Sequence, residues 1–287
     1  MAEAHGGYYL PHPSHWPISG SIALFTLAIG TACYFQGFSW GPWVMLLGFA
    51  ILIFMVFGWL GTVIGESISG AYNDQVDRSF RWGMSWFIFS EVMFFGAFFG
   101  ALFYAHVLSV PWLAGGDAAT NQLLWHGQSF GWTTAGPGFP NVKFEAMEAW
   151  PLATFNTIFL LASSVTVTIA HHALKDGDRD KVKKFMFITV GLGLLFLICQ
   201  GYEFWHAWNV QNMTLHTGVY GSTFFMLTGF HGFHVTLGTT MLIVITARIL
   251  KGHFDQTHHF AFEGVSWYWH FVDVVWLGLF VFVYILA

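Results

Sequence analysis

The groups in this 287-residue sequence that could do chemistry are 15 histidines and 15 acidic residues, and the informative ones lie inside apolar runs. Glu203 and His206 stand three apart, as do His231 and His234, so at helical pitch each pair shares a face. Glu263, His270 and Asp273 follow near the C-terminal end. A Glu-x-x-His pair is half of a carboxylate-bridged di-iron site, and two facing histidines in a membrane could ligate a haem. The second Glu-x-x-His is missing, and Glu91 alone would be thin compensation. The spacing fits better a buried hydrogen-bond network between helices, formed by Glu91, Glu203, His206, His231, His234, His270 and Asp273, with no metal held.

Glu91, in Ser90-Glu91-Val92-Met93-Phe94-Phe95, lies roughly 6 Å from the middle of its apolar run at 1.5 Å per residue. An ionised carboxylate at that depth costs on the order of 3 kcal/mol, so the side chain is expected to be protonated or paired. The Gly96-xxx-Gly100 face just beyond predicts a tight helix contact beside it. A further stripe, Thr157, Ser164, Thr168 and His171, is expected to mark a bundle interior. No nucleophile with a base and no phosphate-cradling glycine loop is evident, so catalysis by this chain alone is not expected. A transporter using the buried carboxylates should carry inverted repeats or broken helices, and neither is visible.

Those residues must be positioned by membrane-spanning helices. Apolar residues make up 55% of the chain and charged residues only 9%, too few to cover a soluble surface. Seven stretches can cross about 30 Å of hydrocarbon. They are residues 18–36, 42–65, 82–108, 152–174, 185–208, 218–250 and 262–286. Arg78 and Arg81, then Lys175, Arg179, Lys181, Lys183 and Lys184, then Arg248 and Lys251 fall in alternate connections, and only Lys143 falls in another. Basic loops stay inside, so the N-terminus is expected inside and the C-terminus outside. Residues 1–17 contain no Lys or Arg and read as a retained cytoplasmic tail. Its His5, His12 and His15 titrate near neutrality and could collect protons there. Residues 18–65 form a hairpin of two spans, 66–81 a polar connection, and 82–287 a five-helix bundle with a long outer loop at 109–150. Cys33 and Cys199 sit in apolar runs without CxxC spacing and read as packing residues. The net charge of -5 offers no basic patch for nucleic acid.

Several of these segments resemble cytochrome c oxidase subunit III. Phe87-Ile88-Phe89-Ser90-Glu91-Val92-Met93-Phe94-Phe95 looks like that family's third-helix signature, and Ala170-His171-His172-Ala173-Leu174 like the end of its fourth. Tyr220-Gly221-Ser222-Thr223-Phe224-Phe225, with Thr228-Gly229-Phe230-His231-Gly232-Phe233-His234-Val235, is similar to its sixth. The most specific block is Trp267-Tyr268-Trp269-His270-Phe271-Val272-Asp273-Val274-Val275-Trp276, preceded by His258-His259-Phe260-Ala261-Phe262-Glu263.

The resemblance implies an all-α fold in which a two-helix hairpin and a five-helix bundle flank a lipid-filled, V-shaped cleft. It implies a subunit without a redox centre, bound chiefly to subunit I and also to subunit II of the oxidase, whose haem and copper lie in those partners. That complex reduces oxygen with electrons from cytochrome c and pumps protons, in a bacterial inner membrane or, for an organellar gene, the mitochondrial inner membrane. Its phospholipid contacts carry over to Trp59, Glu66, Phe87 and Arg248. Where relatives usually have His-Thr-Pro, this chain has Tyr72-Asn73-Asp74, and Leu60 and Thr62 stand where a second Trp or an Asp is usual. A headgroup contact from that loop is therefore not carried over.

Overall fold

The computed structural model describes residues 9–127, 130–136 and 143–286, and every regular element among them is helical. The helices are α1 (Trp16–Phe35), α2 (Gly41–Ile68), α3 (Asp74–Phe103), α4 (Ala118–Leu124), α5 (Thr154–Lys175), α6 (Arg179–Asn209), α7 (Val219–Leu250) and α8 (Phe260–Leu279). All but α4 are long and apolar enough to cross a membrane, giving seven spans. Wide π-type turns extend α3 over Tyr104–Ser109 and α8 over Phe280–Ile285.

Local chemistry sets the helix ends. Proline stands in the first turn of α1 and α2, where its missing N–H costs nothing. Asp178 caps α6 by accepting from the Lys181 N–H at 3.0 Å. The turn between α5 and α6 closes when Asp178 N–H donates to Ala173 O at 2.9 Å and Gly177 N–H to Leu174 O at 3.2 Å. Gly177 holds φ at +80°, which a side chain would resist.

The third span starts at Asp74, not at 82 as the hydropathy suggests. Asn73 accepts from the Val76 N–H at 3.0 Å, and Asp74 and Asp77 stand in the first turn, where carboxylates favour a helix start. Polar residues of the 66–81 connection thus continue the helix beyond its apolar part. The segment 109–150 is also ordered in part, since the Asp117 carboxyl caps α4 by accepting from the Thr120 hydroxyl and amide. Those two donors hold the Asp117 carboxyl below its ordinary range.

The chain divides into two compact units, Met1–Phe80 and Arg81–Ala287. In the first, α1 and α2 form an antiparallel hairpin tied by Trp16 Nε1, which donates to Thr62 Oγ1 at 3.1 Å. In the second, α5 packs against α6 and α8, and α7 against α6 and α8. Its core is aromatic, with Trp269, Trp276, Tyr268, Phe196, Phe224 and Phe262 fully buried. Helix α7 can approach closely because a Cβ at Gly238 would lie 2.8 Å from Trp269 Cε3.

Candidate functional site

Helix α3 delivers Glu91 to α7, where its Oε2 lies 3.0 Å from His234 Nε2. His234 Nδ1 is 2.7 Å from Phe230 O, and a carbonyl only accepts, so Nδ1 carries a proton. The contact at Nε2 therefore contains one shared proton, as carboxylic acid with imidazole or as carboxylate with imidazolium. Phe95, Phe94, Tyr268 and Phe271 rings surround the imidazole. The neighbouring Gly96-xxx-Gly100 face does not mark this contact: nothing lies within 4 Å of a Cβ built at either glycine. The helices meet instead through Glu91 and the larger aromatic side chains.

The polar stripe of α5 is used against α8. His270 has Ser164 Oγ at 2.9 Å from Nδ1 and Thr168 Oγ1 at 3.3 Å from Nε2. Thr168 already donates to Ser164 O, so it accepts from Nε2–H, and Ser164 donates to Nδ1. Asp273 lies 3.9 Å from the same Nδ1. Next to His270, Trp269 Nε1 donates to Ser163 Oγ at 2.8 Å, and farther along α8 Trp276 Nε1 donates to Thr157 Oγ1 at 2.9 Å. Each of those hydroxyls passes its own proton to a carbonyl of α5 or of the turn before it, Leu160 O or Ala153 O. The stripe showed in the sequence, but its partners did not, since they lie about a hundred residues away.

The other polar residues find separate partners. His231, fully buried, sets Nε2 3.2 Å from Val272 O. Glu203, also fully buried, accepts at Oε2 from Gln200 Nε2 at 2.8 Å. His206 does not join it, being half-buried with its ring 6.1 Å from that of Tyr202. Among the described residues no three His, Cys, Asp or Glu side chains converge as metal ligands. A tie that the sequence reading missed joins α3 to α8, with Arg81 Nη1 donating to Glu263 Oε2 at 2.7 Å. Charge of opposite sign at the same end of two spans was the available signal.

The residues carried over as lipid contacts occupy different settings. Trp59 is 50% exposed on α2, and Phe87 is exposed with its ring stacked 6.2 Å from Tyr268. Arg248 is only 7% exposed, with its guanidinium 4.5 Å from the Phe254 ring centroid and its Nε unpartnered. Glu66 accepts from the Tyr72 hydroxyl at 2.7 Å, so the residue that departs from the family pattern engages this carboxylate. Burial and that bond push the Tyr72 hydroxyl well above its ordinary range. His12 is exposed, the His15 ring lies 4.1 Å from Trp16, and His5 is outside the described residues.

Comparison with known proteins agrees with this architecture. The family described as cytochrome c oxidase subunit III matches residues 6–117 and 124–287. Proteins named cytochrome c oxidase subunit 3 from Tragelaphus imberbis, Latimeria chalumnae and Oncorhynchus masou are 37%, 39% and 40% identical. Each alignment covers 99% of this chain and 98% of the relative. With seven spans aligned nearly end to end, the chain belongs to the cytochrome c oxidase subunit III family.

Proposed function

We propose that this chain is a non-catalytic core subunit of a proton-pumping cytochrome c oxidase. It stabilises the haem and copper subunit, chiefly subunit I with subunit II beside it, and it binds structural phospholipid and supports proton uptake. The observation that carries the reading is the use made of polar residues at membrane depth. Glu91, His270, Trp269, Trp276 and Glu263 are each tied to a neighbouring helix, which suits a scaffold. Copurification with a haem-bearing partner, and faster loss of oxygen reduction during turnover when this chain is omitted, are expected. Stoichiometric iron or copper in the isolated chain would overturn the reading.

The basic residues support an N-terminus inside and a C-terminus outside, in a bacterial inner membrane or a mitochondrial one for an organellar gene. On that inner side, Arg248 supplies a guanidinium for a lipid phosphate, and exposed Trp59 and Phe87 supply aromatic surface for acyl chains. Glu66 joins them with its carboxylate already accepting one hydrogen bond, from Tyr72. His5, His12 and His15 feed protons toward the partner's entry. Replacing all three by Gln should slow proton uptake between pH 6 and 8.5, and unchanged uptake would remove them from the proposal.

A further inference from the structure

Where the third span ends and α7 begins, the second unit contains a cavity of about 420 Å³. Ala105 and Val110 at the end of that span, Leu113 after it, and Leu215 and Val219 around the start of α7 give the cavity apolar walls. Trp125, which follows the last residue of α4, also lines it. This residue is 4% exposed and its ring lies 4.5 Å from that of Phe130, yet its Nε1 has no hydrogen-bond partner. An indole N–H can only donate, and the cavity beside the ring is where an acceptor can stand. Ser222 is a second polar member of the wall. Its hydroxyl already donates to Gly218 O at 2.6 Å, so its Oγ is left to accept.

The wall carries little charge. Of the described residues that line it, only His216 can ionise, and that side chain is exposed. The α7 N-terminus does not add an anion site, because the Val219 N–H is donated to Ala135 O at 3.3 Å and the Tyr220 N–H to Thr134 O at 3.4 Å. Surroundings of the cavity are apolar as well: Leu215 is exposed, as are Leu108 and Trp112, the chain neighbours of Ser109 and Leu113 in the wall. A cavity of this size falls within the roughly 300–1,000 Å³ of small-molecule sites, where apolar walls hold the body of a ligand and a few polar groups fix its head. We propose that this cavity binds an uncharged amphiphile with a hydroxyl-bearing head, of the monoacylglycerol kind, taken from the bilayer. An oxygen of the head accepts from Trp125 Nε1–H, a head hydroxyl donates to Ser222 Oγ, and the chain lies along Ala105, Val110 and Leu113. The site shares no residue with the phospholipid contacts at Trp59, Glu66, Phe87 and Arg248.

The complete oxidase containing this chain, in phosphatidylcholine nanodiscs, is the object to test. A dodecylglycerol with a photoreactive diazirine in its chain should label the segments 105–113 or 215–222 saturably, as read by peptide mass spectrometry. Unlabelled dodecylglycerol should displace it. The same molecule with both hydroxyls methylated can accept but not donate, and it should compete about fivefold less well. Trp125→Phe should weaken binding of both compounds by a similar factor, whereas Ser222→Ala should weaken binding of dodecylglycerol and leave its methylated form unchanged. Absence of saturable labelling at these segments would overturn the site. Displacement by dodecane as effective as by dodecylglycerol would reduce it to an apolar crevice, and stronger displacement by dodecanoate would make it an anion site, each against the proposal. Labelling indifferent to Trp125→Phe would also overturn it. If a variant fails to assemble, the competitor series on the unaltered complex decides alone.

Discussion

The carboxyl of Glu91 and the imidazole of His234 share one proton, because Nδ1 is committed to Phe230 O. Glu91→Gln replaces the acid O–H by an amide N–H that can still donate to Nε2. Assembly, oxygen reduction and the proton-to-electron ratio in vesicles should therefore persist. Glu91→Ala leaves Nε2 buried and unpaired, a loss of about 1–3 kcal/mol that should show as easier release of this chain in detergent. A collapse of pumping in Glu91→Gln, with assembly and lipid content normal, would instead identify Glu91 as a proton relay. Thr157 makes a similar test, since its hydroxyl accepts from Trp276 while donating to Ala153 O. Thr157→Ser keeps both bonds, whereas Thr157→Val keeps the volume and strands the indole N–H. Val should lower stability relative to Ser by about 1–3 kcal/mol, measured as a shift in thermal release from the complex.

Helices need their connections held as well as their faces. Between α7 and α8 the loop hangs on Asp255, whose Oδ1 accepts from the Thr257 N–H at 2.8 Å and from the His258 N–H. Arg179, in the first turn of α6, donates to Phe254 O at 2.6 Å from the other side. The His258 amide first, and then Thr257, hold the Asp255 carboxyl well below the usual carboxylate range. A carboxyl lowered in this way contributes stability above its unfolded value, near 4, and loses it only as pH falls through the still lower folded value. The Thr257 and His258 amides should therefore keep their hydrogen-exchange protection, after correction for intrinsic rates, from pH 7 down to pH 5. Asp255→Ala should abolish that protection while leaving the cores of α7 and α8 protected. Loss of protection in the unaltered chain within that pH interval would show that the loop is held by something else.

On the scale of the whole molecule, the proposed function depends on lipid and on partners. Arg248 has its Nε unpartnered beside Phe254, and Trp59 is half exposed on α2. Replacing both by Ala should lose tightly bound phospholipid and shorten the working life of the enzyme, and unchanged lipid by mass spectrometry would refute this. The seven spans and the family were legible in the sequence, because apolar length and basic-residue placement act locally and four long blocks carry the resemblance. The polar stripe on α5 was legible for the same reason, its residues being neighbours at helical pitch. What the stripe bonds to was not, since Ser164 and His270 are 106 residues apart and meet only when α5 packs on α8. The same limit separated His206 from Glu203: spacing placed both on one face, but packing buried Glu203 and left His206 half-buried. Glycine spacing misled at Gly96 and Gly100, because a small-residue face permits a close helix contact without requiring one. Periodicity along the chain thus determined which helices form and which faces are polar. Only the tertiary structure decided which buried groups pair, because each pairing is made between helices that the sequence keeps far apart.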